Sequence, residues 1–231
     1  MNIANNILKY GLQNVYFLAG TALAGKTTMA KILTEKHGFV WFDENHRGEP
    51  FKKWKSICDE KYQQLQAERE RRYNKEGKYD WDAHYNRTAE EIIAERPKRD
   101  NGDEFTEFVI IELIKLSQNN KVITDIFAPL ELLVEIAEYN RIACLLTSPH
   151  LVTVENYGAR DDHSDYYEWI KSLNEAEKKI AKENEIFKIG TERTIEEVKK
   201  YNLFSIIRNE ESTVENTLLL LEKHFNLTDG E

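Results

Sequence analysis

Five apolar residues, Val15-Tyr16-Phe17-Leu18-Ala19, run directly into Gly20-Thr21-Ala22-Leu23-Ala24-Gly25-Lys26-Thr27. No other stretch limits so strongly what the chain can become. The apolar run has the length of a buried strand, and Met29, Ala30, Ile32 and Leu33 behind it have the spacing of an amphipathic helix. The turn between them carries glycine, lysine and hydroxyl residues in the spacing G-x-x-x-x-G-K-[ST]. Gly20 and Gly25 permit backbone angles that a Cβ would forbid, so successive N–H groups can turn inward around an anion. The helix that follows aims its positive end at the same point. Lys26 adds a point charge suited to β- and γ-phosphates, and Thr27 a hydroxyl suited to Mg²⁺. The pattern predicts a nucleotide-phosphate site spread over Gly20, Thr21, Ala22, Leu23, Ala24, Gly25, Lys26, Thr27 and Thr28. The plain alternative, a chance match with Lys26 as a surface lysine, leaves the flanking strand and helix unexplained.

The 231 residues are read as a single domain over 1–231. A hydrophobic content of 41% suffices for a core, and 32% charged residues predict a soluble surface. The net charge of −9 argues against a general nucleic-acid partner. No apolar block of signal-peptide length lies in residues 1–13, and no 18-residue apolar run occurs, so no membrane partner and a cytoplasmic location are expected. Cys58 and Cys144 form no ligand cluster, and Cys144, inside an apolar run, reads as a small buried hydrophobe.

Strand and helix alternate along most of the chain. After a helix over 26–37 with Gly38 as its C′ residue, Phe39–Phe42 reads as a strand ending at Asp43. Residues 44–102 read as a helical insertion, with helix over about 51–73, an aromatic segment near Trp81 and further helix to Glu95 that Pro97 ends. A helix over 103–117, a strand over 121–125, a helix opened by Pro129, a strand over 141–147, a lid-like loop over 148–165 and a charged helix to about Asn184 follow. A short helix (195–201), a strand (203–207) and a helix from about residue 212 to 225 close the chain. Alternation of this kind predicts a parallel, five-stranded sheet covered by helices on both faces, an α/β/α sandwich. Ligands of such sheets bind beyond the carboxyl ends of the strands, where Gly20, Asp43, Asp125 and Thr147 all fall.

Asp43 is a candidate base for an attacking hydroxyl or a holder of Mg²⁺ through water, against the alternative of a turn or N-cap acid. Asp125 is a candidate metal residue together with Thr27. Arg160, in the lid-like loop, suits a transferring phosphoryl, although pairing with Asp161 or Asp162 is nearly as good a reading. Residues 44–102 hold seven of the eleven arginines and a net charge of +1, against −10 elsewhere. His46, Arg47 and Arg87 are therefore candidate substrate contacts, while the tyrosines and tryptophans there can equally form a small core. Arg208 and Asn209 leave the last strand where a nucleotide base could lie.

The stretch GTALAGKTTMAKILTEKHGFVWFDEN resembles the opening of P-loop small-molecule kinases, the group of shikimate, gluconate and nucleoside monophosphate kinases. The resemblance implies a three-layer P-loop NTPase fold and an ATP- and Mg²⁺-dependent transfer of a phosphoryl group to a small molecule. It further implies that Lys26, Asp43 and Arg160 are catalytic, that Asp43 meets the acceptor, and that the loop of Arg208 and Asn209 holds adenine. Asn45 stands where shikimate kinases tend to have a second Asp, and Asp125-Ile126-Phe127-Ala128-Pro129 lacks the arginine of the D-G-F-P-R run. The acceptor is thus left open, with a nucleotide or nucleoside slightly favoured by the basic insertion. A kinase of an uncharged hydroxyl compound and a nucleotide-dependent regulator using 44–102 as a partner arm are the alternatives.

Overall fold

The computed structural model describes residues 4–43, 49–58, 60, 63, 64, 67, 81–99, 102–125, 128–160, 164–209 and 211–227. Five parallel strands make one sheet: β1 Val15–Gly20, β2 Val40–Phe42, β3 Val122–Thr124, β4 Ile142–Thr147 and β5 Ser205–Arg208, in the order β2-β3-β1-β4-β5. The first strand sits at the centre because it is buried along nearly its whole length, as is β4 beside it. Near-continuous apolar strands of this kind are stable only when both faces are covered.

Alternation along the strands divides the core in two. Val15, Phe17 and Ala19 of β1, Val122 of β3 and Ile142, Cys144 and Leu146 of β4 face one layer. That layer is built from α1 (Asn5–Gly11), α3 (Glu49–Ile57), α6 (Gly102–Ser117), α7 (Leu130–Ile136) and the end of α10 (Ala176–Lys200). Tyr16, Leu18, Ile123, Ala143 and Leu145 point the other way, onto α2 (Lys26–His37) and α11 (Val214–His224). The period of two in the strands thus produces three layers, α/β/α.

Further helices among the described residues are α4 (Trp81–Tyr85), α5 (Ala89–Arg99), α8 (Val154–Gly158) and α9 (Ser164–Lys171). They gather with the first half of α10 into two small apolar clusters, one around Tyr85, Val154 and Ile170 and one around Ala89, Ile92 and Ile186. Trp81 meets Trp169 with ring centroids 4.7 Å apart. Trp81 and Tyr85 of the insertion therefore belong to a core shared with the segment that follows β4, whereas Trp54 packs into the layer against the sheet.

Several boundaries differ from expectation. The chain between 164 and 201 divides near residue 175, not near 184–195. Glu175 adopts a left-handed conformation (φ 49°), and beyond it Ile186, Thr191 and Val198 bury one side of a continuous helix, about 37 Å long. Part of the expected lid-like loop is helical: Thr153 caps α8, its Oγ1 accepting from the Asn156 N–H at 3.1 Å, and Gly158 lets Tyr167 pack so closely that a Cβ would lie 2.2 Å from its Cβ. Pro129 is the N-cap of α7, one residue before the position expected, and β5 starts and ends later than 203–207. Helix α5 continues past Pro97 to Arg99. The short α1 was not anticipated. Of the helix expected over about 51–73, most of the part beyond residue 58 lies outside the described residues.

Candidate functional site

The site is assembled from the carboxyl ends of all five strands. Gly20 ends β1 with φ +121°, and the Thr21 N–H donates to the Leu145 carbonyl of β4 at 3.0 Å. Two further bonds fasten the loop to the tip of β4: the Thr147 N–H donates to Thr21 Oγ1 at 2.8 Å, and Thr147 Oγ1 donates to the Ala22 carbonyl at 2.8 Å. Arg208, the register partner of Thr147 on β5, donates to the Leu23 carbonyl at 3.0 Å. Leu23 takes φ +59°, uncommon for a branched side chain, and Gly25 follows at φ +84°. A loop held at Thr21, Ala22 and Leu23 by two neighbouring strands can sustain that conformation.

Gly25 is the N-cap of α2 and supplies no side-chain cap. The first intrahelical bond runs from the Met29 N–H to the Gly25 carbonyl at 2.9 Å, leaving the N–H groups of Lys26, Thr27 and Thr28 as the first-turn donors. They open where the helix dipole is positive, a setting suited to an anion. The Thr28 side chain itself is exposed.

Lys26 folds back over this loop, its Nζ donating to the Thr21 carbonyl at 2.6 Å and the Gly20 carbonyl at 3.5 Å. The residue keeps part of its surface, yet its ammonium is enclosed. Burial pushes its pKa down to about 8; the Asp125 carboxylate pulls the other way, and the Arg160 guanidinium adds to the depression. Arg160, just after α8, is thereby placed within electrostatic reach of Lys26, and its guanidinium lies 5.8 Å from the Tyr157 ring centroid. On β4, burial pushes the Cys144 thiol up to about 12, which suits the inert hydrophobe expected there.

Asp125 follows β3, the immediate neighbour of β1. Its Oδ2 accepts from the Thr27 hydroxyl at 2.6 Å, and its Oδ1 accepts from the Trp41 indole N–H at 3.2 Å. Thr27 and Asp125, 98 residues apart in sequence, are thus brought together as anticipated. Strands β2 and β3 pair up to Phe42 and Thr124, so Asp43 and Asp125 leave adjacent strands at the same level. Among the described residues no group of three or more His, Cys, Asp or Glu side chains forms a metal cage. The donors present are hard oxygens, a hydroxyl and a carboxylate. That set fits a cation which keeps its waters and takes further ligands from phosphates, as Mg²⁺ does.

Other candidates fall elsewhere. Asn209 is committed to the turn before α11, where its Oδ1 accepts from the Glu211 N–H at 3.0 Å and the Ser212 hydroxyl at 2.9 Å. Arg87 donates to the Glu91 carbonyl at 3.1 Å, a bond within the insertion's own helical segment. His46 and Arg47 lie outside the described residues. Sequence reasoning does not single out Trp41, whose partner Asp125 lies 84 residues away. Among the described residues no helix is long and apolar enough to cross a membrane. Compared with protein-family models and with curated proteins, the chain matches none.

Proposed function

We propose that this chain is a P-loop phosphotransferase of the small-molecule kinase type, moving the γ-phosphoryl of ATP, with Mg²⁺, to a small acceptor in the cytoplasm. The observation that carries the reading is one cluster: an enclosed Lys26 ammonium inside a loop at a helix N-terminus, with Thr27 and Asp125 hydrogen-bonded beside it. The first-turn N–H groups and Lys26 hold the phosphates, and Arg208 keeps the loop in shape from β5. Mg²⁺ neutralises developing phosphate charge, and Thr27 and Asp125 are the residues that hold it. Arg160 compensates negative charge on the transferring group. Asp43, level with Asp125 at the sheet's edge of the site, orients the acceptor or takes its proton. Positioning and fixed charge supply most of the acceleration in such a transfer.

The testing experiment measures ADP release from ATP and Mg²⁺ with pooled nucleoside monophosphates, nucleosides, sugar acids and hydroxylated antibiotics. Stimulation by one pool is expected; slow hydrolysis that no pool raises would overturn the kinase reading. With that acceptor in hand, Asp43→Asn separates the two chemistries. A hydroxyl acceptor loses its general base, and turnover falls by about 10²–10⁴-fold while ATP still binds. A phosphate acceptor, already anionic, needs no base and keeps most of its turnover.

A further inference from the structure

The carboxylate on the metal side is held by a residue outside the phosphate-loop motif. Asp125 has two oxygens and both are engaged, Oδ2 by the Thr27 hydroxyl at 2.6 Å and Oδ1 by the Trp41 indole at 3.2 Å. The two donors differ in kind. A hydroxyl can donate and accept, so Thr27 can turn a lone pair to a cation while still donating to Asp125. An indole N–H only donates, so Trp41 fixes which oxygen faces away from the loop. The ring is itself braced: Trp41 pairs with Ile123 across β2 and β3, packs against the α2-side core, and has the exposed Lys31 ammonium 5.5 Å from its centroid. Lys31 follows Thr27 by one helical turn, so one side of α2 meets both ends of the carboxylate's support.

We propose that Trp41 is a positioning residue for Asp125, setting the orientation of its carboxylate toward a Mg²⁺ ion shared with Thr27 and nucleotide phosphates. The inference rests on the nucleotide-binding reading above. Trp41 acts through Asp125 and touches neither phosphate nor acceptor. Without the indole donor only the Thr27 hydroxyl still holds the carboxylate, its terminal torsion is less constrained, and metal affinity falls while metal-free nucleotide affinity, set by the loop, does not. Outer-shell donors of this kind typically change metal affinity by about 10- to 100-fold.

The test uses the full chain and ADP. Indole ¹⁵N-labelling gives one N–H resonance for each of the four tryptophans. The Trp41 resonance is assigned by its loss in Trp41→Phe, or by its displacement in Lys31→Ala should the first variant fail to fold. Titrating Mg²⁺ into the wild-type ADP complex is expected to move that resonance. In Trp41→Phe the Mg²⁺ affinity of the ADP complex drops by about tenfold or more, with metal-free ADP binding unchanged. A stationary Trp41 resonance, or equal Mg²⁺ affinity in wild type and Trp41→Phe, overturns the proposal alone. A wild type that binds ADP neither with nor without Mg²⁺ overturns it together with the nucleotide-binding reading.

Discussion

Lys26→Ala is expected to lower phosphoryl transfer by about 10²–10³-fold, the usual loss when one preorganised donor to a developing anion is removed. The effect should fall on chemistry and phosphate binding, not on folding. Among the described residues the ammonium's hydrogen bonds go to the Thr21 and Gly20 carbonyls, while the loop keeps its bonds to β4 and β5. The same residue predicts a pH dependence. Burial pushes its pKa down to about 8, below the ordinary 10.5 of a lysine. A bound polyphosphate favours the charged form and raises it. Below pH 7 the amine is protonated in both states and binding moves no proton. Above pH 8 the free protein has lost the proton that the complex retains, so binding takes one up and affinity falls with rising pH, its slope approaching one log unit per pH unit. Calorimetric titration of ADP between pH 6.5 and 9.5, in buffers of different ionisation enthalpy, measures both quantities. A variant turning over within fivefold of wild type, or a wild-type affinity flat across that range, would defeat this account of Lys26.

What could be read from the chain were the features with a short-range cause. A strand of apolar residues ending in Gly20, acids closing β2 and β3, and the helix stop at Gly38 each follow from local chemistry, and together they imply the three layers observed. That Asp125 leaves its strand beside the phosphate-loop motif was legible because strand-tip residues of a parallel sheet converge; its hydrogen bond with Thr27 was not. What was not legible depends on partners distant in sequence. Nothing local marks Trp41 as a donor to Asp125, since that role exists only once β2 lies beside β3. Helix α1 escaped notice because Ile7 and Tyr10 are exposed and its hold on the core comes from Leu8 and the following Leu12. Helix α10 was divided wrongly because its two halves serve different cores, so no single apolar stripe runs its length. Ile180, Ile186 and Phe187 join the insertion's clusters, whereas Ile195 and Val198 join the sheet.

That division has a functional corollary. Arg160 lies between α8 and α9, and those helices pack with α4 and α10 around Val154, Tyr85 and Ile170. The described part of the insertion thus packs against the arginine's segment. Trp81 and Tyr85 are explained by that shared core, and His46 and Arg47 lie outside the described residues.

Gly20→Ala should remove both the phosphate site and a large part of the stability. A Cβ on Gly20 would stand 1.9 Å from the Leu145 carbonyl oxygen and 2.7 Å from its carbon, both backbone atoms of the neighbouring strand β4. Neither can swing aside as a side chain would. The residue also has φ +121°, a conformation L-residues rarely adopt. Steric overpacking costs about 1–3 kcal/mol and the strained backbone about 1–3 more, so a loss of roughly 2–6 kcal/mol is expected. Relief requires the tips of β1 and β4 to part, which breaks the Thr21–Leu145 bond and drags Thr21 and Ala22 from Thr147. The loop then loses the shape that gathers its N–H groups, and α2 no longer starts at the same place. Urea unfolding reads the first effect as a lower midpoint at constant slope, and ADP titration at a temperature where the variant is still folded reads the second. Gly25→Ala is the informative control. It shares a positive φ of +84°, but its Cβ would meet only the Arg208 guanidinium at 3.6 Å, so strain acts there without a clash. The smaller loss expected at Gly25 isolates the part due to the close approach of β1 and β4. Equal losses at the two glycines would mean that backbone strain alone, and not that approach, fixes Gly20.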